Sequence, residues 1–228
     1  LDPETRGRGV VASSSGNHAQ AVAYVARKFG IKATIVIPEG AAETKIAATR
    51  GYGADVLLVP PDQRDTKPLE LAAEHGYALV PPYDDPAVIA GTGTIGAEIA
   101  ADLPDVDLVL VPVSGGGLIS GIATAVKIRC PQARVVGVEP ELAADAAESF
   151  RRGERVEWSP ELTFRTAADG LRVAGVGELP WLHIQQYVDD IVTVTEDQIR
   201  AAVRLLARSA RLVAEPSGAV ATAAYLAH

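Results

Sequence analysis

The segment Leu108-Val109-Leu110-Val111-Pro112-Val113-Ser114-Gly115-Gly116-Gly117-Leu118 runs from an unbroken apolar stretch into three glycines and then into a helical pattern, Leu118–Arg129. Its apolar part shows no in–out alternation, as expected of a strand buried on both faces of a parallel sheet. A glycine turn between such a strand and a helix brings backbone amides to the helix N-terminus, where anions are held. No Lys-Ser or Lys-Thr pair follows the glycines, which removes a nucleoside-triphosphate loop. A dinucleotide site stays open on spacing. Gly115 and Gly117 follow a strand, Gly121 lies further along the helix, and Glu139 ends the next strand 22 residues after Gly117.

The same alternation extends outward in both directions. Strands are expected at Ala33–Ile37, Asp55–Val59, Tyr77–Val80, Leu108–Val113, Val135–Glu139 and Ile191–Val194. Helices are expected at Ala19–Phe29, Glu43–Arg50, Pro68–His75, Gly93–Asp102, Leu118–Arg129 and Glu196–Ala210. Gly30 reads as a left-handed stop after the first helix, and Thr195 with Gln198 reads as a capping box for the last. Strands and helices interleaved in this way define a doubly wound α/β architecture. Glu154–Pro180 reads as loop, and Ala227-His228 falls inside a helical pattern that has not ended.

The chain has 228 residues, 48% of them apolar and 22% charged, with a formal charge of −8. That is the composition of a globular protein. Its acidity argues against a nucleic-acid partner, and the sequence has no apolar run of membrane-spanning length. Cys130 is the only cysteine, so no internal disulfide forms, and a reducing cytoplasm is the expected location. The thiol itself reads as a small core residue.

Three further segments carry chemistry. Ser13-Ser14-Ser15-Gly16-Asn17-His18-Ala19-Gln20 follows the short apolar strand Gly9–Ala12 and opens a helix. It suits a carboxylate or phosphate, or equally a serine-rich cap. Val138-Glu139-Pro140-Glu141-Leu142-Ala143-Ala144-Asp145 places two acids that could converge on Mg²⁺ or Ca²⁺ with a backbone carbonyl, or stand solvated at a strand end. Ala214-Glu215-Pro216-Ser217-Gly218-Ala219 has the Glu-Pro order of a helix start. His18, His75, His183 and His228 are scattered, with no metal-like pair.

Taken in order, these segments resemble the threonine/serine dehydratase and serine racemase family of fold-type II pyridoxal-phosphate enzymes. Ser14–Gln20 resembles that family's substrate loop, and Pro86-Ala87-Val88-Ile89-Ala90-Gly91-Thr92-Gly93-Thr94 its inter-domain hinge. Ser114–Leu118 resembles its cofactor phosphate loop, while Ala168-Asp169-Gly170 and Glu215–Ala219 continue the likeness. With five segments in order, the dinucleotide reading recedes. The resemblance implies two α/β domains of the tryptophan-synthase-β-like type: a small one over residues 9–86 and an incomplete large one over residues 1–8 and 87–228, with the active site between them. It implies that Asn17 bonds the phenolic oxygen of pyridoxal 5'-phosphate and that Ser14, Ser15, Gly16 and His18 surround the substrate carboxylate. Ser114, Gly115, Gly116, Gly117 and Leu118 hold the phosphate, and Gly170 and Glu215 lie near the cofactor. Ser15 matches the second acid/base of the racemases, and Glu139, the Ala143 carbonyl and Asp145 match a divalent-cation site.

The resemblance also implies an activity: loss of ammonia from a small hydroxy amino acid such as L-threonine or L-serine, or racemisation of serine, in a homo-oligomer (dimer or tetramer). One element is missing. The family's Schiff-base lysine sits in a Ser-Phe-Lys-x-Arg-Gly-like motif before the substrate loop, and none of Lys28, Lys32, Lys45, Lys67 and Lys127 lies in such a motif. The Ser-Gly-Gly-Asn-like strand that contacts the pyridine nitrogen is absent as well. The expectation is therefore a truncated piece of an active parent, without turnover of its own.

Overall fold

The computed structural model describes residues 1–227, which divide into two compact units, Leu1–Pro82 and Tyr83 onward. In the first unit the order is α1 (Pro3–Arg8), β1 (Val10–Ser13), α2 (Asn17–Lys28), β2 (Ala33–Pro38), α3 (Glu43–Gly51), β3 (Asp55–Val59), α4 (Lys67–His75) and β4 (Ala78–Leu79). The four strands are parallel in the order β3-β2-β1-β4, with Val10 opposite both Ala33 and Ala78. β2 is buried along almost its whole length, which accounts for its unbroken apolar run. α2 turns Ala19, Ala23 and Ala26 onto the sheet, and small side chains let the helix lie close to it. Gly30 takes φ +65° after α2, the expected left-handed stop.

The second unit runs α5 (Pro86–Asp102), β5 (Leu108–Pro112), α6 (Gly117–Arg129), β6 (Arg134–Pro140), α7 (Asp145–Arg152), α8 (Pro160–Thr163), α9 (Glu178–Tyr187), β7 (Asp190–Val194), α10 (Glu196–Leu205) and α11 (Pro216–Ala227). Its sheet is parallel, in the order β5-β6-β7. One layer of core joins β5 and β6 to α6, α7 and α9, and another places α10 and α11 on the other side through Val138, Val194, Ile199 and Val220. Thr195 and Gln198 form the expected capping box.

Several elements depart from the sequence reading. α5 starts at Pro86 rather than Gly93, because Asp85 Oδ1 accepts from the amides of Ala87 (2.7 Å) and Val88 (3.1 Å) and Pro86 takes the first helical position. The segment expected as a hinge is thus the first two turns of a helix. α10 gives way at Leu206 to one π-helical turn ending at Arg211, whose φ is +58°. The region read as loop, Glu154–Pro180, contains α8, a 3₁₀ turn at Asp169–Leu171 and the start of α9. The first unit closes at Pro82 and includes α1, whose Arg8 side chain lies against Gly76.

Candidate active site

The first anion turn belongs to the first unit. β1 ends at Ser13, and the chain passes through Ser14 and Ser15 to Gly16, the residue before α2. The Gly16 amide donates to Ser14 Oγ (3.1 Å), and the Ser14 amide donates to the Val36 carbonyl (3.2 Å). α2 has no side-chain cap, so its first amides, which lack intrahelical partners, make an anion-seeking end. A Cβ on Gly16 would meet nothing within 4 Å, so there is room above this turn. Ser15 is half-buried and Asn17 exposed. The His18 ring is turned away into the fold. Its Nε2 lies 2.9 Å from the Val80 carbonyl, which calls for the tautomer protonated at Nε2, and burial pulls its pKa below the usual histidine value. Ser13 Oγ is buried without a hydrogen-bond partner.

The second turn belongs to the second unit and is held from several directions. The Gly115 carbonyl accepts from the Gly177 amide (3.1 Å) and the Gly117 carbonyl from Thr92 Oγ1 (2.9 Å). The Gly116 carbonyl accepts from the Ser120 amide (3.0 Å) and hydroxyl (2.7 Å). With its carbonyls bound by protein donors, the loop has its amides left for a ligand. Gly116 sits at φ +88°, and a Cβ there would stand 2.8 Å from Pro180 Cβ. A Cβ on Gly115 or Gly117 would run into Tyr83, at 2.4 and 2.8 Å. Ser114 Oγ is buried and has no hydrogen-bond partner, a donor still waiting for an acceptor. Leu118 is on the first turn of α6.

Gly170 and Glu215 are brought together. The Gly170 amide donates to Ser217 Oγ (2.9 Å), and a Cβ on Gly170 would be 3.9 Å from Glu215 Oε1. Ser217 was not singled out by sequence, although it sits two residues beyond Glu215 in a segment that was.

At the C-terminal end of β6, Glu139 and Asp145 are each only 1% exposed. Glu139 accepts from the amides of Ala146 (3.2 Å) and Ala147 (2.7 Å), while Asp145 Oδ2 is buried with no partner. Burial pushes Glu139 well above the usual carboxylate range, and the nearby Asp145 charge adds to this. Burial likewise pushes Asp145 up to about 7. Two adjoining buried acids with an unmet oxygen form a site short of positive charge. Among the described residues no group of three or more His, Cys, Asp or Glu side chains could hold a metal ion. The third ligand expected here is a backbone carbonyl, that of Ala143, which is fully buried.

Tyr83, Asp84, Thr92, Gly177 and Ser217 shape these loops and were missed as site residues. Asp-Pro ahead of an apolar run was the available signal for the α5 start that carries Thr92. The others act over long sequence separations that no local pattern reveals.

A helix-opening glycine turn with its carbonyls bound and an orphan hydroxyl beside it is the cradle of a phosphate monoester, and the residues present fit pyridoxal phosphate. The family model for "Pyridoxal-phosphate dependent enzyme" matches residues 1–228, and the chain belongs to this family. It is 47% identical over 230 residues to L-threonine ammonia-lyase of Thermotoga maritima, covering 99% of this chain and 56% of that protein. It is 42% identical over 228 residues to L-threo-3-hydroxyaspartate ammonia-lyase of Saccharomyces cerevisiae, covering 99% of this chain and 69% of that protein. The fold matches that of maize serine racemase with a TM-score of 0.93 at 36% identity, over 99% of this chain and 68% of that one. The fold is thus of the fold-type II kind, and the chain spans little more than half the length of the Thermotoga relative. No described helix is long and apolar enough to cross a membrane.

Proposed function

We propose that this chain carries most of the ligand-binding surface of a pyridoxal-phosphate-dependent ammonia-lyase for 3-hydroxy amino acids. L-Threonine is converted to 2-oxobutanoate and ammonia, and L-serine to pyruvate and ammonia. The glycine loop carries this reading: three positions closed to any side chain, carbonyls bound inward and a buried hydroxyl without a partner at Ser114. The relatives named above, two of them ammonia-lyases, supply the reaction class.

Bound pyridoxal phosphate supplies an electron sink for negative charge at the substrate Cα. The chain's own residues bind and orient. Ser114, Gly115, Gly116, Gly117 and Leu118 hold the phosphate, and Asn17 donates to the phenolic oxygen. Gly170 and Glu215 would lie near the cofactor, with Ser217 fixing the Gly170 amide. The amides of Ser14, Ser15, Gly16 and His18 take the substrate carboxylate, and the His18 ring steadies that turn through Val80. Glu139, the Ala143 carbonyl and Asp145 hold Mg²⁺ or Ca²⁺, which neutralises the two buried acids. None of the five lysines lies in the family's lysine motif, so turnover belongs to a protein that carries that lysine in addition. We assign its small domain to the unit that carries the substrate turn, Leu1–Pro82, and its large domain to the unit that carries the glycine loop, from Tyr83 onward. The complete enzyme is read as a cytoplasmic homo-oligomer.

A second reading, racemisation, is favoured by Ser15, a half-buried hydroxyl in the first anion turn that could return a proton to Cα. Both are tested in a chimaera in which this chain replaces the matching 230 residues of the Thermotoga relative. Release of ammonia and 2-oxobutanoate from L-threonine is expected, and a folded, cofactor-loaded chimaera that releases neither refutes the lyase reading. In the same protein, S15A abolishes any D-serine formed while ammonia release continues; loss of both together would refute a separate role for Ser15.

A further inference from the structure

The acid that caps α9 lies 94 residues before it. Gly177, the residue preceding the helix, has no side chain to offer its amides. Asp84 does the work instead: Oδ2 accepts from the Glu178 amide at 2.9 Å and Oδ1 from the Leu179 amide at 3.0 Å. Both carboxylate oxygens are thus committed to the first two amides of the helix, where negative charge is favoured. The fit is close, since a Cβ on Gly177 would stand 2.8 Å from Asp84 Cγ.

What α9 then touches is the glycine loop. The Gly177 amide donates to the Gly115 carbonyl (3.1 Å). Pro180, in the first turn of α9, closes on the left-handed Gly116, and its carbonyl accepts from Ser120 Oγ (3.3 Å). Tyr83, next to Asp84 in the chain, covers Gly115 and Gly117. We propose that Asp84 is a positioning residue for the glycine loop: by capping α9 it fixes Gly177 and Pro180, and through them the Gly115 carbonyl and the turn at Gly116. The inference rests on the phosphate reading of that loop and deepens it. Asp84 itself touches no ligand. A cap with only a stabilising role would protect α9 and leave the loop's ligand affinity unchanged.

The test compares D84A and D84N with D189A in the full chain. Asp189 accepts from the Val135 amide (2.6 Å) and pairs with Lys127, so D189A removes a comparable anchor from the same unit. Amide exchange is followed residue by residue, and inorganic phosphate is titrated against the amide shifts of Ser114–Leu118. D84A is expected to speed exchange at Glu178 and Leu179 by about tenfold, to expose the Gly177 amide as well, and to weaken phosphate by roughly three- to thirtyfold. D84N, which keeps one acceptor, falls between D84A and wild type, and it carries the test should D84A not fold. D189A leaves Gly177 exchange and phosphate affinity as in wild type. Gly177 protection that survives D84A, or phosphate weakened no more than by D189A, overturns the proposal. Wild-type amides that phosphate does not move overturn the phosphate reading itself, while Gly177 exchange still reports whether Asp84 holds the loop.

Discussion

Replacing Gly116 with alanine sets two penalties at one atom. The backbone at φ +88° is left-handed, which costs an L-residue about 1–2 kcal/mol. The new methyl stands 2.8 Å from Pro180 Cβ, 2.9 Å from Val176 Cγ1 and 3.3 Å from Ile184 Cδ1. The first two contacts are shorter than carbon atoms tolerate. Relief requires α9 to move, and overpacking of this kind costs about 1–3 kcal/mol. Together the loss is about 2–5 kcal/mol, or a fall in melting midpoint of roughly 4–20 °C at 2–4 °C per kcal/mol for a unit of this size. Both tryptophans, Trp158 and Trp181, lie in the second unit, so tryptophan fluorescence follows that unit selectively. The control is Gly16→Ala. Gly16 has φ −125° and open space at its Cβ, and it belongs to the other unit. Its tryptophan-detected midpoint should match wild type. A G116A midpoint within 1 °C of that control would refute the claim that the fold demands glycine at this position.

Two other predictions rest on buried charge. Glu139 and Asp145 hold protons in the native state at pH values where the unfolded chain has lost them, Asp145 up to about 7. In chelator, stability is therefore highest on the acid side and falls as pH rises from about 4 through about 7. Millimolar Ca²⁺ or Mg²⁺ should flatten that slope, and D145N, which removes one of the two charges, should raise the midpoint at pH 8 in chelator while abolishing the cation effect. Melts at pH 5.5 and pH 8 with and without cation check this, and a slope of opposite sign defeats it. His18 titrates below its usual 6.5 because burial disfavours its charge, so its contribution is present above pH 6.5 and is lost as pH falls through the lower native value. Imidazole nitrogen shifts should show that depressed midpoint, and H18A should cost the first unit about 0.5–1.5 kcal/mol through the lost Val80 bond. A His18 midpoint at or above 6.5 would contradict the burial argument.

The sheets were legible because both are parallel and their strands are near-continuous apolar runs, even where an edge strand such as Asp55–Val59 is only partly buried. Asp55–Val59 was read residue for residue, and Ala33–Ile37 and Val135–Glu139 to within a residue at either end, since short runs rich in apolar and β-branched residues between helical stretches read as strands. The two anion turns were legible for the same reason, as small residues placed between such a strand and a helix. α7 was missed because its polar face, Glu148, Arg151 and Arg152, hides a short buried stripe of Ala146, Ala147 and Ser149. The α5 start was missed because Gly91 and Gly93 look like flexibility. In the fold Gly93 is a place of close approach, its Cβ position 3.4 Å from the Gly121 carbonyl. What could not be read at all were partners far apart in sequence: Asp84 for α9, Ser217 for Gly170, and Thr92 for Gly117.

The two anion turns look alike in sequence and differ in why they contain glycine. At Gly16 φ is −125° and the Cβ position is open, so no packed neighbour in the first unit excludes a side chain there. A ligand approaching the helix end would use that open space. At Gly115, Gly116 and Gly117 the protein already fills the space, and each position is closed before any ligand arrives. A side chain at Gly16 therefore enters open space at the helix end, whereas a side chain in the second loop changes fold and binding together. The second loop can be questioned only from outside, through a residue that holds its shape without entering it. Asp84, bonded to the helix that carries Pro180 against Gly116, meets that requirement.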